Sequence, residues 1–97
     1  MNPANLQLEG VYIAMAALVH ALRDKGALSA EEIDAALANA EEKLAADPGR
    51  KTKLSDASRD GVFFPIRFLR LANQASAEGK HLSFSQLASR VGQTKPD

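Results

Sequence analysis

Three arginines are the side chains whose type and spacing could bind a ligand. Arg67 and Arg70 are three residues apart, which places them on neighbouring positions of one helical face. A guanidinium binds carboxylate oxygens through paired hydrogen bonds, so this pair, with Arg59 as a third member, predicts a patch that binds a carboxylate metabolite or an acidic peptide. The alternative is structural, because a guanidinium among phenylalanines needs a carboxylate of another helix or chain, or a path to water.

The other polar side chains predict no catalytic or metal centre. His20 and His81 are far apart in the chain, which is a poor metal signal. The adjacent acids Glu31–Glu32 and Glu41–Glu42 point in different directions around a helix, which favours solvated carboxylates. There is no cysteine, no Gly-x-Ser-x-Gly motif and no glycine-rich phosphate loop. The sequence therefore predicts a protein that is not an enzyme and uses no cofactor and no metal.

Composition predicts one helical, globular domain. The chain has 97 residues, of which 45% are apolar and 25% charged, a balance typical of folded domains rather than disordered segments. Alanine is common and β-branched residues are few, which favours helix. The formal net charge is zero, which argues against a nucleic-acid partner because nucleic-acid binders usually carry a basic excess for contacts with phosphates. An alanine-rich core is small in volume, and this favours a homodimer.

The longest apolar run predicts no membrane segment. It extends over about twelve residues, from Val11 to Leu22, which is too short to cross a bilayer. The residues before it include Glu9 and neither Lys nor Arg, whereas a signal peptide begins with positive charge. We therefore expect a cytoplasmic protein that does not enter a membrane.

Two helices are predicted in residues 1–47. Asn2-Pro3 is a helix start, and an apolar stripe with alternating spacings of three and four residues follows, widened by Tyr12 and Val19. Gly26 is the predicted C-terminal cap, and Ser29 with Glu32 forms a capping box for the second helix. That helix should end at Asp47-Pro48-Gly49. The first stripe consists of Leu8, Val11, Met15, Leu18 and Leu22, and the second of Ile33, Leu37, Ala40 and Leu44.

The short connection between these helices predicts an antiparallel hairpin. The stretch 22–44 (leucine, Lys-Gly, an apolar residue, Ser, two acids, Ile and later Leu) resembles a helical hairpin found in many unrelated bacterial proteins. That resemblance covers less than a quarter of the chain and implies no activity.

A linker at 48–58, which includes the basic run Arg50-Lys51-Thr52-Lys53, precedes a phenylalanine-rich central helix. Pro65 cannot donate a helical hydrogen bond and disfavours helix at the residue before it. We therefore expect a break near 61–64 with the main helix starting at Pro65; the alternative is one kinked helix. The apolar residues of this helix, together with the first helix, predict a dimer interface formed by Phe63, Phe64, Phe68, Leu71, Tyr12 and Met15.

The last predicted helix starts at a second capping box, Ser83 with Gln86, and ends at Gly92, before a frayed tail at 93–97. The stretch 82–94 resembles the first helix and turn of a helix-turn-helix domain, in which the next helix reads DNA bases. Only Gln93 to Asp97 follow Gly92, so we expect no recognition helix here.

Together these patterns predict an all-α domain over residues 1–97, a bundle of four or five helices with an N-terminal hairpin, a central helix and a short C-terminal helix. The first functional hypothesis is a small homodimeric interaction or regulatory module that receives a protein partner. The alternatives are a degenerate helix-turn-helix regulator and a domain that binds an anion or small molecule through Arg59, Arg67 and Arg70.

Overall fold

The all-α prediction is confirmed. The structure is a computed structural model that describes residues 3–46 and 56–94, with side chains described for 5–46 and 61–93, and these residues contain helices and no strand. The predicted helix end at Asp47-Pro48-Gly49 and the basic run 50–53 lie outside the described residues. The four helices are α1 (Pro3–Asp24), α2 (Ala30–Ala46), α3 (Asp56–Ala77) and α4 (Phe84–Thr94).

Two glycines end helices in the predicted manner. Gly26 and Gly79 have φ of 74° and 77°, a left-handed conformation that residues with a Cβ rarely adopt. After α1, Ala27 N–H donates to the Leu22 carbonyl at 3.1 Å and Gly26 N–H to Arg23 at 3.0 Å. Lys80 and Gly79 make the equivalent pair of hydrogen bonds after α3. Both helices therefore end in Schellman motifs, which satisfy carbonyls of the last turn.

Both predicted capping boxes are formed. The Ser29 hydroxyl accepts from Glu32 N–H at 3.0 Å, while Glu32 Oε1 accepts from Ser29 N–H at 2.8 Å. Ser83 and Gln86 make the same reciprocal pair at 3.1 and 2.8 Å. Each box satisfies backbone donors that the first turn of a helix cannot satisfy itself.

Replacing Ser29 by alanine should therefore lower the free energy of unfolding by about 1 kcal/mol, because the cap of α2 loses its side-chain acceptor. Thermal or urea denaturation followed by circular dichroism measures the change. Ser89→Ala, at an exposed position inside α4, is the control and should change stability little. An unchanged stability for Ser29→Ala would contradict the role of this box.

The predicted break before Pro65 is wrong. α3 is one continuous helix with Pro65 inside it. The carbonyl that loses its helical donor belongs to Gly61, which is exposed, so water can hydrate it. Phe63 and Phe68 are buried on either side of the proline along the chain, and their burial offsets the cost of the missing hydrogen bond. Residues 56–58, predicted as linker, consequently belong to α3.

α3 packs against all three other helices, and this arrangement differs from the predicted hairpin. The helix pairs with extensive contact among the described residues are α2 with α3, α1 with α3, and α3 with α4. The connection from α1 to α2 is short, but the two helices pack chiefly on α3 and not on each other. A packed N-terminal hairpin is therefore not confirmed.

An aromatic cluster forms the centre of the core. Phe68 has 1% of its surface exposed, and its ring centroid lies 5.3 Å from that of Tyr12 and 5.1 Å from that of Phe84. Phe64 is 6.2 Å from Phe68 on the same helix. These rings come from α1, α3 and α4, so a single contact group connects three helices. Ile33, Leu69, Leu87 and Val91 are also buried.

The turn expected at Gly92 does not form. α4 continues to Thr94, and positive φ values occur among the described residues only at Gly26 and Gly79. A helix-turn-helix domain requires a turn at that point. The geometry of α4 therefore gives no support to the resemblance seen in the sequence.

Candidate functional site

The predicted arginine patch contains ion pairs with α2. Arg70 donates from Nε to Asp34 Oδ1 at 2.8 Å and from Nη2 to Asp34 Oδ2 at 3.2 Å, and its Nη1 lies 3.4 Å from Glu41. Arg67 Nε lies 3.3 Å from the second Glu41 oxygen. The hydrogen bonds that Arg70 donates to Asp34 raise the pKa of Arg70 above its usual range. These ion pairs correspond to the structural alternative that the sequence predicted for Arg67 and Arg70. The Arg59 side chain lies outside the described residues.

These ion pairs line an open groove of about 840 Å³ between α2 and α3. The positive charge on the wall of this groove is already matched by the carboxylates of Asp34 and Glu41. Arg67 also lies over the Phe63 ring, with its guanidinium carbon 5.0 Å from the ring centroid. The groove therefore offers an anion less attraction than the sequence pattern predicts.

Replacing Asp34 by asparagine should lower the free energy of unfolding by at most about 1 kcal/mol, because the Asp34 and Arg70 side chains are 44% and 36% exposed and water screens the pair. The loss should shrink at high salt. Chemical denaturation at two salt concentrations measures both effects. Glu42→Gln, an exposed acid of the same helix, is the control. A larger loss that salt leaves unchanged would contradict this screened ion pair.

The predicted interface residues lie mostly inside the chain. Phe63 and Phe68 are buried, and Tyr12, Phe64 and Leu71 are partly buried against the core. Met15 is the member of the set that is exposed, at 42%. The positions of α3 that bear Phe63 and Phe68 are thus covered by other helices of the same chain and are not available to a second copy.

The large exposed apolar surface is on α1. Of the eight large hydrophobic side chains that are exposed in the described part of the chain, all but Leu28 belong to this helix. Five of them follow the predicted 3-4-3-4 stripe and are 41–61% exposed. We call them the α1 ridge: Leu8, Val11, Met15, Leu18 and Leu22.

The face of α1 that packs on α3 is offset from the ridge by one residue. Tyr12, Ala16 and Val19 are partly buried there, together with Glu9 and Arg23. One residue corresponds to about 100° around a helix, so the same spacing of three and four recurs on two faces. The apolar stripe predicted from the sequence is the α1 ridge. The face of α1 that packs on the core is the neighbouring one, which bears Tyr12, Ala16 and Val19.

Small residues lie on the other side of the ridge. Gly10, Ala14, Ala17 and Ala21 are exposed and spaced four, three and four residues apart. A Cβ added at Gly10 would meet no atom within 4 Å, so the surface there is open. We call these four residues the α1 trough. From residue 6 to residue 22, neither the ridge nor the trough contains a charged side chain.

A polar network fixes α1 to α3 and α2. Arg23 Nη1 donates to the Asn73 carbonyl and to Asn73 Oδ1, both at 3.2 Å, and Nη2 donates to Ser76 Oγ at 2.9 Å. Asn73 is 3% exposed and donates from Nδ2 to the Ala30 carbonyl at 2.9 Å. Sequence reasoning missed this network; Asn73 was visible only as a polar position in an otherwise apolar helix.

No group of three or more His, Cys, Asp or Glu side chains in the described residues could hold a metal ion. Asn5–Asp24 is one stretch, near the N-terminus, that is long and apolar enough to cross a membrane by length and composition. This stretch is longer than the twelve-residue apolar run, Val11 to Leu22, from which the sequence predicted no membrane segment. This is a weak indication, because core helices of soluble proteins and signal sequences have the same length and composition.

Comparison of the chain with protein-family models, with curated proteins and with solved structures gives no match.

Proposed function

We propose that the protein is a homodimeric interaction module whose copies associate through α1. The observation that supports this is the α1 ridge, a continuous apolar stripe that no helix in the described part of the chain covers. Soluble monomers rarely expose large contiguous apolar patches. Spacings of three and four residues are also the pattern by which one helix packs along another.

A second copy of the chain fits this surface in charge and in shape. Ridge and trough are both uncharged, so two copies bring no unpaired charge into the interface. The trough lies beside the ridge on the side away from α3. When two α1 helices run parallel about a two-fold axis, the ridge of each copy lies on the trough of the other. The centre of that interface is opposite the α3-packed face, so both contacts form together.

The expected affinity is moderate. Burying the remaining exposed half of a Leu-sized side chain contributes about 1 kcal/mol, so the ridges of two copies contribute about 10 kcal/mol before costs. Loss of translational and rotational freedom opposes this by about 4–15 kcal/mol. At the low end of this cost the balance is at most about 6 kcal/mol, which corresponds to a dissociation constant of tens of micromolar or weaker.

Charge and packing favour a protein partner over a lipid surface. Helices that lie on membranes carry Lys and Arg along their polar face. The one basic residue of α1 is Arg23, and its guanidinium is hydrogen-bonded to Asn73 and Ser76. Tyr12 is engaged by the aromatic cluster, so transfer of α1 into a bilayer would separate it from the core.

Light scattering on a sizing column, over loading concentrations from about 1 μM to about 1 mM, tests the proposal. We expect the mass to rise with concentration from the 10.4 kDa of one chain towards twice that value. A constant monomer mass over the whole range would contradict self-association, and α1 would then have to be tested with lipid vesicles and with other proteins.

A further inference from the structure

The second cavity lies between α1, α3 and the connection that leads to α4. Its volume is about 350 Å³, within the range of small-molecule sites. Val19, Leu69 and Leu87 are among its apolar lining residues, whereas Arg23 and His81 contribute polar groups. The cavity thus combines a hydrocarbon surface with a guanidinium, which is the combination that an amphiphilic small molecule requires.

Arg23 is a partly buried guanidinium whose partners are all neutral. Its three hydrogen bonds go to the carbonyl and amide oxygens of Asn73 and to the Ser76 hydroxyl. No carboxylate among the described residues lies within ion-pair distance of it. Arg70, which faces the groove between α2 and α3, has two carboxylates. A charge that is partly removed from water without a counter-ion is less stable than a paired one, and an anionic ligand would supply that counter-ion.

The guanidinium is held in place before any ligand binds. Asn73 is fixed by its hydrogen bond to the Ala30 carbonyl and by burial, and Ser76 also contacts His20 Nδ1 at 3.1 Å. These acceptors use the two terminal nitrogens of Arg23, while its Nε–H has no acceptor in the described part of the chain. A donor on a fixed group costs little ordering entropy when a ligand binds to it.

We infer that this cavity binds a small monocarboxylate with a short apolar chain, with the carboxylate on Arg23 and the chain against Val19, Leu69 and Leu87. At the rim, the Lys80 ammonium pairs with Glu78 at 3.1 Å and the His20 ring contacts Asp24 at 3.1 Å, so each already has a carboxylate beside it. One uncompensated cation matches a single carboxylate better than a phosphate dianion. This inference does not depend on the proposed self-association.

Titration with hexanoate, followed by NMR of the Arg23 Nε–H and of the backbone amides that line the cavity, tests the inference. We expect saturable shifts with a millimolar dissociation constant. 1-Hexanol, which has the same chain without the charge, should bind at least about tenfold more weakly, and inorganic phosphate should also bind more weakly. Equal binding of hexanol, tighter binding of phosphate, or no saturation by hexanoate at about 50 mM would each overturn it.

Three variants locate the carboxylate. Arg23→Gln removes the charge and should weaken hexanoate binding at least about tenfold, whereas Arg70→Gln, in the groove between α2 and α3 and outside this cavity, should leave it unchanged. Arg23→Lys keeps the charge and should weaken binding less than the glutamine variant. Should Arg23→Gln fail to fold, the comparison of hexanoate with hexanol on the unmodified chain decides the matter alone. Equal affinity of the unmodified chain and Arg23→Gln would overturn the assignment.

Discussion

Replacing Leu18 by glutamate is expected to abolish self-association while leaving the fold intact. Leu18 is the most exposed residue of the α1 ridge, at 61%, so the carboxylate stays in water in the monomer. In the proposed dimer the same carboxylate would lie against the apolar trough of the second copy, and an unpaired charge there is strongly unfavourable. We expect the dissociation constant to rise at least about a hundredfold, measured by light scattering across concentration.

Leu28→Glu is the matched control. Leu28 is also exposed, at 37%, but lies in the connection after α1 and outside the ridge. The Leu28→Glu variant should have a dissociation constant within about twofold of that of the unmodified chain. Circular dichroism should show the same helix content for the Leu18→Glu and Leu28→Glu variants. A Leu18→Glu chain that dimerises as the unmodified chain does would exclude the ridge as the contact surface, even if the protein proves to be a dimer.

Helix ends were predictable because their signals are local. Ser29 with Glu32 forms the expected capping box, and Gly26 adopts the positive φ that its position after the last turn requires. Such contacts involve groups within a few residues, so they do not depend on the tertiary structure. Pro65 shows the limit of this reasoning. Its local preference is overridden by burial of Phe63 and Phe68, which depends on the other helices.

The face that a helix buries was predictable for α2 and not for α1. In α2 the predicted stripe contains buried Ile33 and the partly buried Leu37. In α1 the largest apolar residues are exposed, and Tyr12 with Ala16 packs on the core instead. Periodicity reveals apolar faces but does not specify which one meets the chain's own core. When a helix has two such faces, the sequence alone cannot assign them.

Side-chain partners between helices were the least predictable part of the candidate sites. The spacing of Arg67 and Arg70 predicted a shared face, but their pairing with Asp34 and Glu41 depends on how α2 lies on α3. The same holds for Arg23, whose acceptors are fifty residues or more away in sequence. A single arginine near a helix end is usually a solvated cap, so no pattern in the sequence distinguishes Arg23 from such a residue.

Replacing Phe68 by aspartate is expected to unfold the protein. Phe68 is 1% exposed, and its ring contacts Tyr12, Phe64 and Phe84. Loss of a buried phenylalanine ring alone costs about 3–5 kcal/mol, and burial of a carboxylate without a partner adds to this. The sum is comparable to the total stability of a small domain, about 5–15 kcal/mol. Circular dichroism should show loss of helix at 25 °C or a strongly lowered melting temperature.

Two control variants test whether the loss of stability comes from the buried position of residue 68 and not simply from introducing an aspartate. Leu18→Asp places the same side chain on an exposed apolar position of α1 and should keep the melting temperature within a few degrees, because the charge stays hydrated. Phe68→Leu keeps the position apolar and should destabilise the protein less than aspartate does, since most of the volume remains filled. If Phe68→Asp melts like the unmodified chain, the aromatic cluster cannot be the centre of the core. If Phe68→Asp and Leu18→Asp lower stability equally, burial is not the cause.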